Sequence, residues 1–304
     1  MRISNCIGML LMITMEKPMQ EQKFTTVITP KTGWFDINLK EVWDYRDLIL
    51  LFVKRNFVSQ YKQTILGPAW AFIQPFLTTI VFTLIFGNIA GLAPGGIPSF
   101  VFYFSGTILW TYFSTCLSQT ANTFVANANT MGKVYYPRLV MPIATVLSQL
   151  ISFAIQYVFL IMFLLYFVLT KQGVHPNYWI LLTPVLLLQL GMLSLGFGII
   201  ISSVTTKYRD LAKLVGFGVQ LWMYASPVAY DMYGISAFAP GGKWHTLFMC
   251  NPVTPLITIF RYGYLGFGFI EWNFYWIGWA TTLVILSFGV ILFSHVEKTF
   301  MDTV

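Results

Sequence analysis

A chain of 304 residues that is 57% hydrophobic and only 10% charged, with mean hydropathy +0.69, is not built like a soluble domain, which carries about 25% charged residues. Its solvent is the hydrocarbon of a bilayer, and its length suits roughly five to seven spans of about 20 apolar residues each. The net charge of +7 and pI near 9.2 match basic loops beside a membrane rather than a nucleic-acid partner; Cys6, Cys116 and Cys250 offer neither a disulfide framework nor a metal-ligand spacing.

Residues 1–36 read as an N-terminal cytoplasmic tail. Its first 14 residues, MRISNCIGMLLMIT, imitate a signal peptide weakly, with one arginine, an apolar run broken at Gly8 and no small-residue cleavage site. An upstream extension before a start at Met15 is the alternative. Residues 37–66 read as an amphipathic helix at the membrane interface. Asn38 and Glu41 resemble a capping box, and Trp43, Leu48, Phe52 and Phe57 are mixed with Arg46, Lys54, Arg55 and Lys62. Such a helix lays apolar side chains in lipid and basic ones toward anionic head groups. Gly67-Pro68 ends it, because proline disfavours the helical conformation of the residue before it.

Residues 67–304 carry six apolar segments near spanning length: Ala69–Ile89, Phe102–Thr123, Leu139–Leu169, Trp179–Val204, Leu214–Tyr230 and Phe274–Phe293. The expected fold is all-α and integral to the membrane, with six spans. The third segment is long enough to tilt or to extend beyond the bilayer, and the fifth is short for crossing alone. No Asp, Glu, Lys or Arg occurs from 63 to 132, so the first two spans share an uncharged hairpin, GLAPGGIPS. Of the 18 Lys and Arg, only Lys171, Lys243 and Arg261 fall in the alternate loops, and the other 15 precede the first span or occupy the remaining loops and the C-terminus. The positive-inside bias then places both termini in the cytoplasm. The last outer loop, Asp231 to Asn273, includes CNPVTPLITIFRYGYLGFGFI, apolar but interrupted by proline and glycine. Stretches of that kind at membrane depth are re-entrant and buried against protein.

Catalytic signals are absent from the sequence. His175, His245 and His295 lie in different loops or ends, no span holds paired carboxylates, and there is no nucleophile motif. Gly242-Lys243 fails the phosphate-loop pattern, which needs Gly where Ala237 stands and Ser or Thr after the lysine. No catalytic or metal-binding residue is assigned, and no cofactor is expected in this chain. The spans also lack the ionisable groups of ion-coupled carriers. Their neutral polar groups, among them Gln74, Asn88, Gln119, Asn122, Gln149, Gln156, Gln189 and Gln220, read first as interhelical hydrogen bonders. Ser194, Gly198 and Ser202, spaced by four, read as a close helix contact. Aromatics make up 18% of the chain. Trp110, Tyr112, Trp179, Trp276 and Trp279 suit interface belts, whereas Phe72, Phe76, Trp222 and Tyr224 read either as helix packing or as the wall of a conduit on which sugar rings slide.

Five stretches, in order, then carry a resemblance: YKQTILGPAWAFIQP, NANTMGKVYYPRLVMP (Asn127 to Pro142), KYRDL (Lys207 to Leu211), SPVAY (Ser226 to Tyr230) and NPVTPLITIFR (Asn251 to Arg261). From about Trp34 to Phe293 the chain resembles the permease subunit of type-2 ABC exporters of polysaccharides, the O-antigen and teichoic-acid group. The resemblance implies a homodimer in the bacterial cytoplasmic (inner) membrane. It also implies two copies of a separate ATPase subunit that hold ATP and Mg, and a lipid-linked polysaccharide passing between the two permeases. It implies ATPase coupling by Arg55, Tyr61, Lys62, Lys133, Arg138, Arg209 and Asp210, a channel lined by Phe72, Phe76, Trp110, Trp222 and Tyr224, and an outer re-entrant region with Asn251, Pro252 and Arg261. Two departures stand out. Arg55-Asn56 replaces a frequent Arg-Asp, and Ser152-Phe153 stands where the family often has an acid. A small drug or lipid exporter on the same fold is the alternative, and a membrane-embedded glycosyl- or acyltransferase would need a carboxylate pair that Asp231 and Glu271 do not offer in sequence.

The charge pattern generates a direct test. Cysteines introduced at Gly95 and Gly241 will react with an impermeant reagent added from outside, and those at Lys133 and Lys207 will not. External labelling at Lys207 overturns the six-span reading.

Overall fold

Hydrocarbon offers no hydrogen bonds, so a spanning chain must pair its backbone polar groups internally. Among the described residues this chain does so with helices and turns, without a strand. The structure, a computed structural model, describes residues 39–62, 64–123, 126–127, 136–205 and 211–299, with the side chains of 39, 212 and 295–299 excepted. Asn38, Lys133, Arg209 and Asp210 therefore lie outside the described residues, as does the tail, 1–36.

In order, the elements are α1 (Leu39–Asp44), α2 (Arg46–Tyr61), α3 (Trp70–Phe82), α4 (Ser99–Ala121), α5 (Val140–Leu169), α6 (Thr183–Thr205), α7 (Leu211–Tyr224), α8 (His245–Met249), α9 (Val253–Leu265) and α10 (Trp272–Thr299). Five stretches are long and apolar enough to cross a membrane: Gly67–Ile89, Ser99–Ala121, Val140–Leu169, Tyr178–Thr205 and Trp272–Ser294. The expected fifth span differs. Its helix, α7, has 14 residues and ends at Tyr224, and Ala225–Tyr230 form a turn around Pro227. The expected helix over 37–66 is likewise interrupted at Tyr45 and ends at Tyr61. Its apolar residues do not share one face. Ile49 and Phe52 are buried, whereas Leu50, Leu51 and Val58 are exposed among the charges.

α4 is the centre of the bundle, because 78% of its apolar window is buried against 22% for the first and last spans. It packs on α5 and α6, α6 packs on α10, and α2 lies along α5. Small residues permit the close approaches. A Cβ added to Gly198 would come within 2.5 Å of Thr120, so the stripe of Ser194, Gly198 and Ser202 sits against neighbouring helices, with both serines buried. Leu77, Val81, Val158, Leu165, Val284 and Phe288 point outward, as lipid-facing side chains do.

Pro75 lies inside α3 and cannot donate to the carbonyl four residues back, that of Ala71. Gln156 of α5 fills the gap, its amide donating to Ala71 O at 2.9 Å. Gln149 and Gln119 form a second bridge, between α5 and α4, at 2.8 Å. Both meet the expectation of interhelical hydrogen bonding. α9 is buried at all but one of its 13 positions, which separates it from a surface helix with one wet face. It ends at Gly266, whose φ of +69° makes the left-handed cap.

The pairing at Pro75 can be tested by a cycle. Gln156→Leu leaves a carbonyl without a donor and will lower stability by about 1–2 kcal/mol, read as a lower thermal midpoint in detergent. Pro75→Ala supplies the missing N–H, so Pro75→Ala/Gln156→Leu will recover most of that loss. Equal midpoints for wild type and Gln156→Leu refute the assignment.

Candidate functional site

The chain ends of the helices sort into two groups. The loops at 90–98, 170–177 and 225–271 meet at one end: Asp231 N–H donates to Leu92 O at 3.0 Å, and His175 N–H to Leu265 O at 3.2 Å. This is the charge-poor end. At the other end Thr205, closing α6, donates to Ala121 O at the close of α4 at 3.3 Å, and α2 lies beside them.

At the charge-poor end, SPVAY and NPVTPLITIFR are fastened to one another. Asn251 donates to Ala225 O at 3.2 Å and to Ser226 Oγ at 2.9 Å, and its own carbonyl accepts from Trp222 Nε1 and from Val253 N–H, each at 3.2 Å. Two donors and two lone pairs are thus fully used. Pro252 begins α9, where a missing N–H costs nothing. Just over two turns along α9 from Val253 stands Arg261, only 3% exposed. Its guanidinium donates to the carbonyls of Pro227 and Val228 and lies 3.7 Å over the ring of Phe102 in α4. Gly106 makes the space, since a Cβ there would come within 2.5 Å of Arg261 Nη2. Burial pulls the guanidinium down to about 9, opposed chiefly by Asp231, so it remains a cation at neutral pH. Burial pushes Asp231 up, opposed by the Tyr233 N–H and by Arg261.

At the charge-rich end, Arg55 donates to Asn127 Oδ1 and to Asn56 Oδ1, both at 3.2 Å, and packs over Phe52. The Asn56 amide thus keeps a bond to the arginine that a carboxylate would also make. Tyr61 Oη is 3.1 Å from Ser152 Oγ, so the position that departs from the expected acid still meets a polar partner. Lys62 is exposed, and Arg138 is half-buried in the turn before α5. Of the coupling residues expected from the sequence, the structure gathers Arg55 and Tyr61 on one helix against α5.

The expected channel aromatics fall into two clusters. Phe72 stacks on Phe159 at 3.7 Å, and Phe76 meets Phe100 and Phe163, so both rings serve packing among α3, α4 and α5. Trp110 is buried against Phe113, whose other neighbour is Trp222. Tyr224 is half exposed.

Sequence reading missed three contacts. His245 and Glu271, separate in sequence, lie 3.1 Å apart. Tyr157, Tyr264 and Thr183 form a hydroxyl chain at 2.7 and 2.8 Å. Gly106 and Phe102 form the seat of Arg261, with no local signal beyond a glycine within an aromatic span.

The family model described as ABC-2 type transporter matches residues 47–265, which include both ends. The O-antigen export system permease protein RfbA of Myxococcus xanthus is 27% identical over 73% of this chain and 82% of its own length. The protein of the same name from Klebsiella pneumoniae is 23% identical over 84% and 94%. The capsule polysaccharide export inner-membrane protein CtrC of Neisseria meningitidis is 21% identical over 83% and 92%.

The buried cation supplies a prediction. Arg261→Met leaves two buried carbonyls without donors, at a cost of about 3 kcal/mol or more. Arg261→Lys will rescue little, because a point charge cannot fork to two carbonyls while lying on an aromatic face. Both variants will show lower membrane levels and thermal midpoints than Lys62→Met, an exposed control. Midpoints equal to wild type refute it.

Proposed function

The chain belongs to the ABC-2 type transporter family, and we propose that it is the membrane subunit of an ATP-driven exporter of a lipid-linked polysaccharide in the bacterial cytoplasmic membrane. The observation that carries this reading is the length of the match: O-antigen and capsule export permeases align over 82% to 94% of themselves. The spans add chemical support. With no Asp, Glu, Lys or Arg from 63 to 132, the first two cannot bind a moving glycan through fixed charge.

In this reading the permease has six spans, both termini are cytoplasmic, and α7 is the fifth crossing. At about 1.5 Å per residue its 14 residues reach roughly 21 Å, short of a hydrocarbon core of about 30 Å. The chain nevertheless passes between Thr205 at the charge-rich end and Asp231 at the charge-poor end. Its 225–230 turn completes the distance. The clamp of Asn251 and Arg261 replaces the stability that a longer helix would provide. The charge-poor end is then the outer face, and α9 is re-entrant there.

Two copies of the chain enclose the conduit, and two copies of a separate ATPase sit under the charge-rich end. α2, lying along α5, transmits the ATPase stroke, with Arg55 and Tyr61 as its fastenings and Lys62, Arg138, Lys133, Arg209 and Asp210 toward the ATPase. Trp222 and Tyr224, on the helix with the open apolar side, are the aromatics best placed to meet the glycan.

Cells lacking this chain will lose surface glycan and retain it on lipid inside. The purified chain will hydrolyse no ATP until its partner ATPase is added. Asp210→Asn will reach the membrane, yet partner-stimulated hydrolysis and export will both fall several-fold. Surface glycan unchanged in the deletion strain refutes the reading.

A further inference from the structure

A cleft of about 640 Å³ opens at the charge-rich end between α2 and the close of α4, with Thr145 of α5 at its edge. Its walls have a regular origin. Arg55, Asn56, Ser59 and Gln60 stand one and four apart along α2, and Ser118, Gln119, Asn122 and Thr123 repeat that spacing over the close of α4 and the turn after it. Residues so spaced share one helix face, so two polar helix faces oppose one another across open space. In a chain that is 57% hydrophobic this is not ordinary packing. Among the lining residues there is one charge, Arg55, and no carboxylate. Among the described residues, the bonds that Arg55 makes use Nη2, which leaves the N–H groups of Nη1 and Nε for a further partner.

We infer that this cleft receives the phosphoryl head group, with its first sugar, of the lipid-linked glycan; the inference rests on the export reading above. A guanidinium fork matches phosphoryl oxygens in pairs, and the amides and hydroxyls around it hydrogen-bond sugar hydroxyls without adding charge. The absence of acids from the wall removes repulsion. One fixed cation attracts the head group and still lets it leave, as transport requires. The cleft also adjoins α2, the helix expected at head-group depth, so an attached hydrocarbon chain can stay in lipid while the head enters. Three phosphoryl sources share this chemistry: the glycan carrier, an anionic phospholipid and free pyrophosphate. The sugar-compatible walls select the first.

The test uses the complete transporter with its ATPase, in nanodiscs of phosphatidylcholine. The probe is a photoreactive polyisoprenyl pyrophosphate bearing one sugar, and its half-saturation is read by cross-linking. Arg55→Gln will weaken binding at least fivefold, and Arg55→Lys will recover part of it. Ser59→Leu, which fills the cleft from an exposed position, will weaken it similarly. Lys54→Gln, the same loss of charge one residue away and outside the cleft, will bind as wild type does. Normal membrane levels and thermal midpoints establish that the variants are folded. Equal binding by wild type, Arg55→Gln and Ser59→Leu overturns the assignment. Displacement of the probe by phosphatidylglycerol vesicles or inorganic pyrophosphate as effectively as by unlabelled carrier overturns it too. If deletion of the chain abolishes surface glycan while Arg55→Gln binds normally, only this inference fails; if deletion leaves surface glycan unchanged, the export reading fails with it.

Discussion

A guanidinium held away from water must find its partners inside the protein, and the charge-poor end is arranged around that requirement, with Nη1 and Nη2 bonded and, among the described residues, Nε buried without a hydrogen bond. Arg261 takes two carbonyls from the 225–230 turn, the face of Phe102 and the space left by Gly106. Each partner comes from a different part of the chain, so one side chain joins α9, the end of α7 and the central helix α4. Asn251 repeats the device ten residues earlier, its two donors spent on the same turn and its carbonyl on Trp222 of α7 and Val253 of α9. An unpaired charge in this setting costs several kcal/mol, which makes the arrangement nearly all-or-none. The chain after α7 can run in irregular backbone there because carbonyls of the 225–230 turn are taken up by these two side chains.

The same accounting operates within the spans with neutral groups. Pro75 frees the Ala71 carbonyl, and Gln156 from another helix supplies the donor. Gln119 and Gln149 satisfy one another between α4 and α5. Neutral amides suit this role in a transporter's membrane spans. They fix helix register by hydrogen bonding and contribute no long-range field to a passing ligand. Glycine does the corresponding work for shape, since Gly198 and Gly289 let helices approach to distances that a Cβ would prevent.

The two ends of the bundle therefore differ in kind. The charge-poor end is closed by a buried cation, an amide with four bonds and a helix buried nearly all round. Among the described residues the charge-rich end has an exposed contact, Arg55 to Asn127, and a buried one, Tyr61 to Ser152, beside an open polar cleft. The helix α2 forms one wall of that cleft, so a displacement of α2 changes the cleft directly.

Hydropathy and charge are sums over short stretches, and the sequence by itself therefore determined the solvent of this protein, five of its apolar crossings and the uneven placement of its basic residues. Gln189 is buried without a hydrogen-bond partner among the described residues, but Gln119, Gln149 and Gln156 were legible as interhelical hydrogen bonders, and Pro75 was legible within an apolar run. Which glutamine would answer that proline was not, because the two lie 81 residues apart and only the packing of α5 on α3 brings them together. The interruption at Tyr45 and the end of α7 at Tyr224 were also hidden, since an apolar run does not reveal where the backbone leaves the helix. Arg261 looked like a loop charge of the kind that sets topology. Only the tertiary structure showed it enclosed, because whether a charge is solvated or buried depends on what distant helices place around it. The opposed polar faces of α2 and α4 belong to the same class: each has helical spacing in the sequence, and only the fold puts them across a common cleft.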